Sequence, residues 1–117
     1  MSYLHNVKMG VTEMKSKEDF ETAKNGGTLC VVDFFADWCG PCKMIAPKLE
    51  AMSEEFKDKV VFVKVNVDDL EDVAESCGIS AMPTFHFYKN GQKVTYDWSL
   101  NVTLLQLQAI CNFSPIF

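Results

Sequence analysis

The sequence contains no arginine, although eleven lysines are present. Without guanidinium groups, the chain cannot make the bidentate contacts to phosphate or guanine that arginine makes. The formal net charge is −5 at pH 7, and no run of basic residues occurs. An acidic chain of this kind argues against nucleic acid as a partner.

Long apolar runs are also missing. Residues 1–8 have no apolar core of signal-peptide length. The first half of the chain has no run of the roughly 18 apolar residues that a membrane span needs. We therefore expect no membrane partner and a cytoplasmic location.

The cysteines and histidines lack the spacing of a metal site. Structural zinc needs a full set of closely spaced Cys or His ligands. Cys39 and Cys42 form a C-x-x-C pair, but no second C-x-x-C or H-x-x-H accompanies them. The remaining cysteines and histidines are Cys30, Cys77, Cys111, His5 and His86. The odd total of five cysteines also disfavours a secreted disulfide framework, so we expect no metal.

The chain does contain enough apolar surface for a globular domain. It has 117 residues, of which 48% are hydrophobic, and nine of them are Phe. A chain of this length can bury a core without needing structural disulfides or metals. Its composition is not that of a disordered segment. We expect residues 1–117 to form a single domain, with 95–117 as a divergent C-terminal segment.

Alternating strand and helix patterns predict an α/β fold. Apolar runs at 29–35 and 60–67 predict buried strands, and helical patterns follow them at 41–56 and from 68 or 69 to 77. This alternation is typical of parallel strands joined by crossover helices. The other predicted elements are a weak strand over 4–14, a short helix capped by Ser16, a strand over 84–88, and a hairpin at Asn90-Gly91 that leads into 92–96.

The helix over 41–56 carries an apolar face, which should pack on the sheet. We predict that Met44, Met52 and Phe56 pack in the core and that Pro47 kinks the helix. The residues that recur on the apolar face are Ile45, Leu49, Met52 and Phe56.

The junction between the first buried strand and its helix carries the chemistry. Gly40 and Pro41 separate Cys39 from Cys42. Proline is favoured in the first turn of a helix, so Cys39 should lie at the helix N-terminus and Cys42 in the first turn. Unpaired backbone N–H groups and the helix dipole lower a thiol pKa there. We predict that Cys39, the more exposed thiol, attacks a substrate disulfide and that Cys42 resolves the mixed disulfide.

The stretch Trp-Cys-Gly-Pro-Cys-Lys at 38–43, with Met-Pro-Thr at 82–84 downstream, closely resembles the thioredoxin family over roughly residues 11–94. The resemblance implies a thioredoxin fold, in which a central mixed β-sheet is flanked by α-helices. It implies a protein-disulfide reductase that serves electron transport and cell redox homeostasis and binds no cofactor of its own. Its partners would be an NADPH-dependent thioredoxin reductase and oxidised clients such as peroxiredoxins.

Asp33 interrupts the apolar run at 29–35, and burial of an unpaired carboxylate is costly. A strand-end residue that faces water is the alternative interpretation. The resemblance implies that Asp33 lies beneath the disulfide and assists proton transfer at Cys42, with Lys64 as its neighbour. Burial should then raise the pKa of Asp33 toward neutrality.

The resemblance implies a substrate-docking surface, which we assign to Trp38, Gly40, Pro41, Met82 and Pro83. The resemblance implies that Pro83 is cis, that its ring keeps metals away and that the Met82 backbone pairs with the substrate chain. It also implies that Trp38 shapes the surface, although its own pattern fits a core residue equally.

Two further cysteines have simpler expectations. Cys30, within a buried strand, is expected to be a small hydrophobe. Cys77 matches a position where animal thioredoxins often carry an extra, sometimes regulatory cysteine. Its pattern favours packing, because Cys77 shares the apolar face of its helix.

The sequence departs from the family after Val94. Segment 95–117 contains no glycine and no charged side chain beyond Asp97, where the family has a glycine turn and a charged amphipathic helix. Asn101 is suited to cap a helix over 102–112, but apolar residues surround that helix rather than forming a stripe.

Three interpretations of this segment remain open. It forms a divergent last helix, or it buries its apolar surface against a second copy of the chain, or it is an alternative C-terminus on a thioredoxin body. The altered segment keeps a second class of function in view, a thioredoxin-fold interaction or regulatory module. The two redox cysteines argue against that alternative, since a binding module does not need them.

Overall fold

The structure is a computed structural model that describes residues 10–94. The start of the weak strand over 4–14, the end of the hairpin strand over 92–96 and the helix over 102–112 therefore lie outside the described residues. The described elements, in chain order, are β1 (Thr12–Glu13), α1 (Lys17–Lys24), β2 (Leu29–Phe35), α2 (Gly40–Glu55), β3 (Val60–Asn66), α3 (Glu71–Ser76), β4 (Thr84–Lys89) and β5 (Gln92–Lys93).

Among the described residues, five strands form one mixed sheet in the order β1-β3-β2-β4-β5. Strands β1, β2 and β3 run parallel, whereas β4 pairs antiparallel with both β2 and β5. The β2–β3 register runs from Leu29 opposite Val60 to Phe35 opposite Asn66, so both central strands end at the same edge of the sheet. The predicted α/β class with a mixed central sheet is confirmed.

Strand β2 is buried on both faces, as its unbroken apolar run predicts. Successive side chains point to opposite faces, so β2 contributes to two separate cores. Leu29 and Val31 pack with residues of α2, including Leu49 and Met52. On the other face the packing residues are Cys30, Val32, Phe34, Phe20, Val73 and Tyr88.

Local signals set the ends of the short elements. The Ser16 hydroxyl accepts a hydrogen bond from the Asp19 backbone N–H at 3.1 Å, and this confirms the predicted cap of α1. Asn90 and Gly91 both have positive φ, 55° and 82°, which a tight hairpin turn requires at its two central residues. The predicted turn is therefore confirmed.

Two predictions about the helices are wrong. Met44 is 77% exposed, because it lies about 100° around the helix from Ile45; Met52 and Phe56 are buried as predicted. Helix α3 begins only at Glu71. The preceding residues form a turn instead, in which the Asp68 N–H bonds to the Asn66 side-chain oxygen at 2.9 Å. Pro47 lies inside α2, and the kink that it should cause stays a prediction.

Candidate active site

Cys39 and Cys42 lie at the junction between the end of β2 and the start of α2. Cys39 is the N-cap residue of α2, Pro41 is in the first turn, and Cys42 follows in the same turn. The two cysteines are joined by a disulfide with a Cα–Cα distance of 5.3 Å. The predicted placement at the helix N-terminus is confirmed.

The Cys39 sulfur has two polar neighbours. Its Sγ accepts a hydrogen bond from the Cys42 backbone N–H at 3.1 Å and lies 3.6 Å from the Met82 carbonyl oxygen. The Met82–Pro83 peptide bond is cis, as the resemblance implied. Segment 82–83, which immediately precedes β4, therefore meets the helix N-terminus across the sheet edge.

The disulfide rests on a small apolar cluster. Cys39 and Cys42 pack with Ala36, and partly buried side chains, including Val67 and Met82, cover them. Each cysteine is only 5% exposed. The prediction that Cys39 is the more exposed of the two is therefore wrong for this disulfide form, because the bond holds both sulfurs against the same cluster.

The helix end favours negative charge at Cys39. No acidic residue occupies the first turn of α2, so no carboxylate neutralises the positive end of the helix dipole there. After reduction, a thiolate at the Cys39 position would keep the Cys42 N–H as a donor, and the dipole would stabilise its charge. The arrangement thus suits a nucleophilic sulfur.

Asp33 is buried in β2, with only 6% of its surface exposed, so the alternative of a solvent-facing strand end is wrong. Its Oδ1 has no hydrogen-bond partner within residues 10–94. Burial raises the pKa of Asp33 from 3.8 to about 7, although the positive charge of Lys64 opposes the rise. A carboxyl group with this pKa can exchange a proton near neutral pH.

Lys64 is the neighbour of Asp33 in the β2–β3 register. Its Nζ lies 5.2 Å from the centroid of the Phe35 ring, in a cation–π position. Lys64 and Cys42 both line a cleft of about 180 Å³, together with Phe35 and Lys43. The structure thus brings the predicted lysine to the side of Cys42 as well as to Asp33.

Trp38 is 68% exposed, and its Nε1–H donates a hydrogen bond to Asp68 Oδ2 at 3.0 Å. The alternative of a core tryptophan is therefore wrong. Gly40 and Pro41 are also exposed, whereas Met82 and Pro83 are half-buried. All five residues predicted for the docking surface thus have at least part of their surface open to solvent.

Sequence reasoning missed the role of Asn66 and Asp68 next to this surface. Asn66 is buried, 4% exposed, at the end of β3, and its side chain bonds to Asp37 and to the Asp68 backbone. The available signal was the Asn-Val-Asp stretch after an apolar run, since asparagine commonly bonds to the backbone N–H two residues on.

Cys30, Cys77 and His86 lie outside the apolar cluster that holds the disulfide. Cys30 is 1% exposed, which confirms its packing role, and burial raises its thiol pKa to about 12. Cys77 packs against the second core, and its Sγ lies 3.8 Å from the Tyr88 hydroxyl. His86 is buried, and burial, aided by Lys93, lowers its pKa to about 4. His5 and Cys111 lie outside the described residues.

Residues 10–94 contain neither a candidate metal site nor a membrane-spanning helix. No group of three or more His, Cys, Asp or Glu side chains in that range is placed to hold a metal ion. No helix in it has the length and hydropathy that a membrane crossing requires.

Comparison with known proteins gives matches over most of the chain. The model of the family described as Thioredoxin matches residues 11–109. Thioredoxin-2 of Saccharomyces cerevisiae is 50% identical over 73% of this chain and 82% of its own, and human thioredoxin is 50% identical over 72% and 81%. The crystal structure of Malassezia sympodialis thioredoxin superimposes with a TM-score of 0.81 at 42% identity, covering 92% of each chain.

A mixed sheet with a disulfide at the N-terminus of its central helix, together with these matches, defines a thiol–disulfide oxidoreductase. The chain belongs to the thioredoxin family. It is a protein-disulfide reductase that acts by dithiol–disulfide exchange, with Cys39 and Cys42 as the redox pair. The family match extends beyond Val94 and takes in part of segment 95–117.

Proposed function

We propose that Cys39 is the nucleophile and Cys42 the resolving thiol. The observation that carries this assignment is the N-cap position of Cys39, whose sulfur accepts the Cys42 N–H at 3.1 Å. The Cys39 thiolate attacks one sulfur of a substrate disulfide and forms a mixed disulfide, and the other substrate sulfur leaves as a thiolate that takes up a proton. Cys42, once deprotonated, attacks Cys39 Sγ, closes the Cys39–Cys42 bond and releases the second substrate sulfur. The substrate gains two electrons and two protons.

Asp33 accepts the proton of Cys42 in the resolving step. Its raised pKa of about 7 allows it to take up a proton and release it again at neutral pH. Lys64 stabilises the charged form of Asp33, because its positive charge opposes the effect of burial. The cleft that Lys64 shares with Cys42 gives water access to the resolving thiol.

The substrate docks on Trp38, Gly40, Pro41, Met82 and Pro83. The Met82 carbonyl, 3.6 Å from Cys39 Sγ, is placed to pair with the backbone of an extended substrate segment next to its disulfide. The space beside Gly40 is open to an approaching substrate chain, because a Cβ at this position would meet no other atom within 4 Å. The role of the cis residue Pro83, which the resemblance implies, is to keep metals away from the cysteines.

The proposed partners are an NADPH-dependent thioredoxin reductase and oxidised clients such as peroxiredoxins. One solved structure with a TM-score of 0.67 and 38% identity comes from a study of thiol resolution in a yeast mitochondrial 1-Cys peroxiredoxin via glutathione/thioredoxin systems. We place the protein in the cytoplasm, in electron transport and cell redox homeostasis. Residues 1–117 would act as one domain, with self-association through the apolar segment 95–117.

A second candidate is a thioredoxin-fold interaction or regulatory module. The observation that favours it is the composition of segment 95–117, which has no charged side chain beyond Asp97. The disulfide at the helix N-terminus favours the reductase instead.

The deciding experiment measures NADPH consumption with thioredoxin reductase and insulin, beside insulin reduction driven by dithiothreitol. We expect activity in both assays, lost in Cys39→Ser and retained in the matched control Cys77→Ser. Cys42→Ser should accumulate a mixed disulfide with the client, because Cys39 still attacks but nothing resolves the product. Activity with dithiothreitol alone would place the defect at the reductase-docking surface. Absence of activity in both assays would favour the interaction module.

A further inference from the structure

Two loops at the carboxyl edge of the sheet are joined through one buried amide. Phe35 and Asn66 are opposite each other at the ends of β2 and β3, and the Val67 N–H donates to the Phe35 carbonyl at 2.9 Å. The loop after β2 carries Trp38, and the loop after β3 carries Asp68. The Asn66 side chain lies between them and is only 4% exposed.

The Asn66 amide bonds to both loops. Its Nδ2–H donates to Asp37 Oδ2 at 3.4 Å, and its Oδ1 accepts the Asp68 backbone N–H at 2.9 Å. The Asp68 carboxylate in turn accepts the Trp38 indole N–H at 3.0 Å. The hydrogen bonds therefore run without a gap from Asp37 through Asn66 and Asp68 to Trp38.

This connection matters because Trp38 has little packing of its own. With 68% of its surface exposed, core contacts do not fix the orientation of its ring. A hydrogen bond to a mobile acceptor would not fix it either, since an exposed bond contributes little unless its partner is already ordered. The turn that Asn66 closes orders the Asp68 backbone, so the acceptor is in place before a substrate arrives.

We propose that Asn66 is a positioning residue for protein substrates: its buried amide fixes Asp68, and through Asp68 it holds the Trp38 indole beside Cys39 in the orientation that a docking protein meets. This inference rests on the proposed function, in which Trp38 belongs to the docking surface. It follows that loss of the amide impairs reaction with folded or extended protein disulfides but not with a small disulfide that needs no docking surface.

The test compares two disulfide substrates in rapid-mixing experiments with the pre-reduced full chain. For Asn66→Ala, we expect the second-order rate constant with insulin to fall about three- to tenfold, the range given by the loss of one or two ordinary hydrogen bonds. With 5,5′-dithiobis(2-nitrobenzoate), a small disulfide, the rate constant should change less than about twofold. In Asn66→Ser, the hydroxyl can still accept the Asp68 N–H but is too short to reach Asp37, so this variant should recover most of the insulin rate.

A second readout follows Trp38 itself. The exchange of its indole N–H with solvent, measured by NMR and assigned by the loss of the signal in Trp38→Phe, should accelerate at least about threefold in Asn66→Ala and return toward the wild-type rate in Asn66→Ser. Asn25→Ala is the matched control, because it also removes a hydrogen bond between an asparagine side chain and the backbone, here the bond that Asn25 Nδ2–H donates to Glu21 O at 2.8 Å, far along the chain from the site. It should change neither the exchange nor the ratio of the two rates.

Unchanged indole exchange, or equal slowing with both disulfides, would overturn the positioning role of Asn66. If Asn66→Ala fails to fold, Asn66→Ser decides. Indole exchange faster than in Asn25→Ala, with an insulin rate lowered by no more than about threefold and an unchanged rate with the small disulfide, supports the proposal. An equal loss with both substrates refutes it. The proposed function has a separate test, because it fails if Cys39→Ser keeps its reductase activity. Even in that case, the exchange of the Trp38 indole N–H would still test the hydrogen bonds that Asn66 makes.

Discussion

The buried carboxyl group of Asp33 should make this protein less stable as pH rises, and Asp33→Asn should remove that effect. The side chain is 6% exposed and its Oδ1 has no hydrogen-bond partner in the described part of the chain. An ionised carboxylate there is poorly compensated, since only the positive charge of Lys64 opposes the cost of burial. The asparagine amide has nearly the same shape and carries no charge at any pH.

The magnitude follows from the pKa of Asp33, which is 3.8 in the unfolded chain and about 7 in the native structure. Because the native pKa is raised, the favourable contribution is complete below pH 3.8 and is lost as pH rises through about 7. Well above that pH, the ionised Asp33 costs the native state about 4 kcal/mol. Asp33→Asn should therefore raise the free energy of unfolding by about 3–4 kcal/mol at pH 8 and by less than about 1 kcal/mol at pH 4.

Guanidinium chloride unfolding of the disulfide form at the two pH values measures this difference. The matched control is Asp58→Asn, an exposed aspartate after α2, which should change the free energy of unfolding by less than about 0.5 kcal/mol at either pH. An equal gain for Asp33→Asn at pH 4 and pH 8 would refute the reasoning, because it would show that packing rather than ionisation is responsible. Absence of a gain at pH 8 would show that the native fold tolerates the charge.

Three further predictions concern stability. His86 has a native pKa of about 4, lowered from 6.5, so the stability that neutral His86 contributes is present above pH 6.5 and is lost as pH falls toward 4. Between pH 7 and pH 4, the free energy of unfolding in urea should fall by about 2–3 kcal/mol less in His86→Phe than in the wild type. Leu49→Ala should cost about 2–5 kcal/mol, whereas Met44→Ala on the same helix should cost less than about 0.5 kcal/mol; similar losses would contradict the packing. Ser16→Ala should cost about 1 kcal/mol through loss of the cap of α1, seen as a lower denaturation midpoint, and an unchanged midpoint would show that the cap bond contributes little.

The central elements could be predicted from the sequence because their signals are local. The run at 29–35 carries apolar residues on both faces. A central strand in a sheet that is covered on both faces is the simplest structure that buries it. The helix at 41–56 has a proline in its first turn and a repeating apolar face. Their observed bounds, Leu29–Phe35 and Gly40–Glu55, differ from the predicted ones by no more than one residue.

The missed features depend on contacts between distant segments. The Trp38–Asp68 bond joins residues separated by 30 positions, and no local pattern determines that the two loops meet. The strand predicted over 60–67 includes Asn66, but its pattern does not indicate that the Asn66 amide connects those loops. The prediction for Met44 is wrong for a different reason: its side chain is apolar but lies outside the apolar face of the helix.

The same difference between local signals and contacts of distant segments applies to the candidate site. Sequence alone placed Cys39 and Cys42 correctly, because both lie within one helical turn. It also placed Asp33 on a buried strand, because an acidic residue within an apolar run is a strong signal. The equal burial of the two cysteines did not follow, since it depends on side chains from distant segments, such as Met82, that pack against the disulfide.

The cysteine pair and the Met82 carbonyl beside it differ in how much of the fold each requires. The sulfurs are three positions apart in the chain, whereas Cys39 and the Met82 carbonyl are 43 positions apart and meet only when β4 is paired with β2. Partial unfolding that releases β4 would therefore leave a dithiol able to exchange without the backbone that lies beside it in the native state. In a damaged or heat-stressed molecule, discrimination between disulfides should be lost before reactivity toward them.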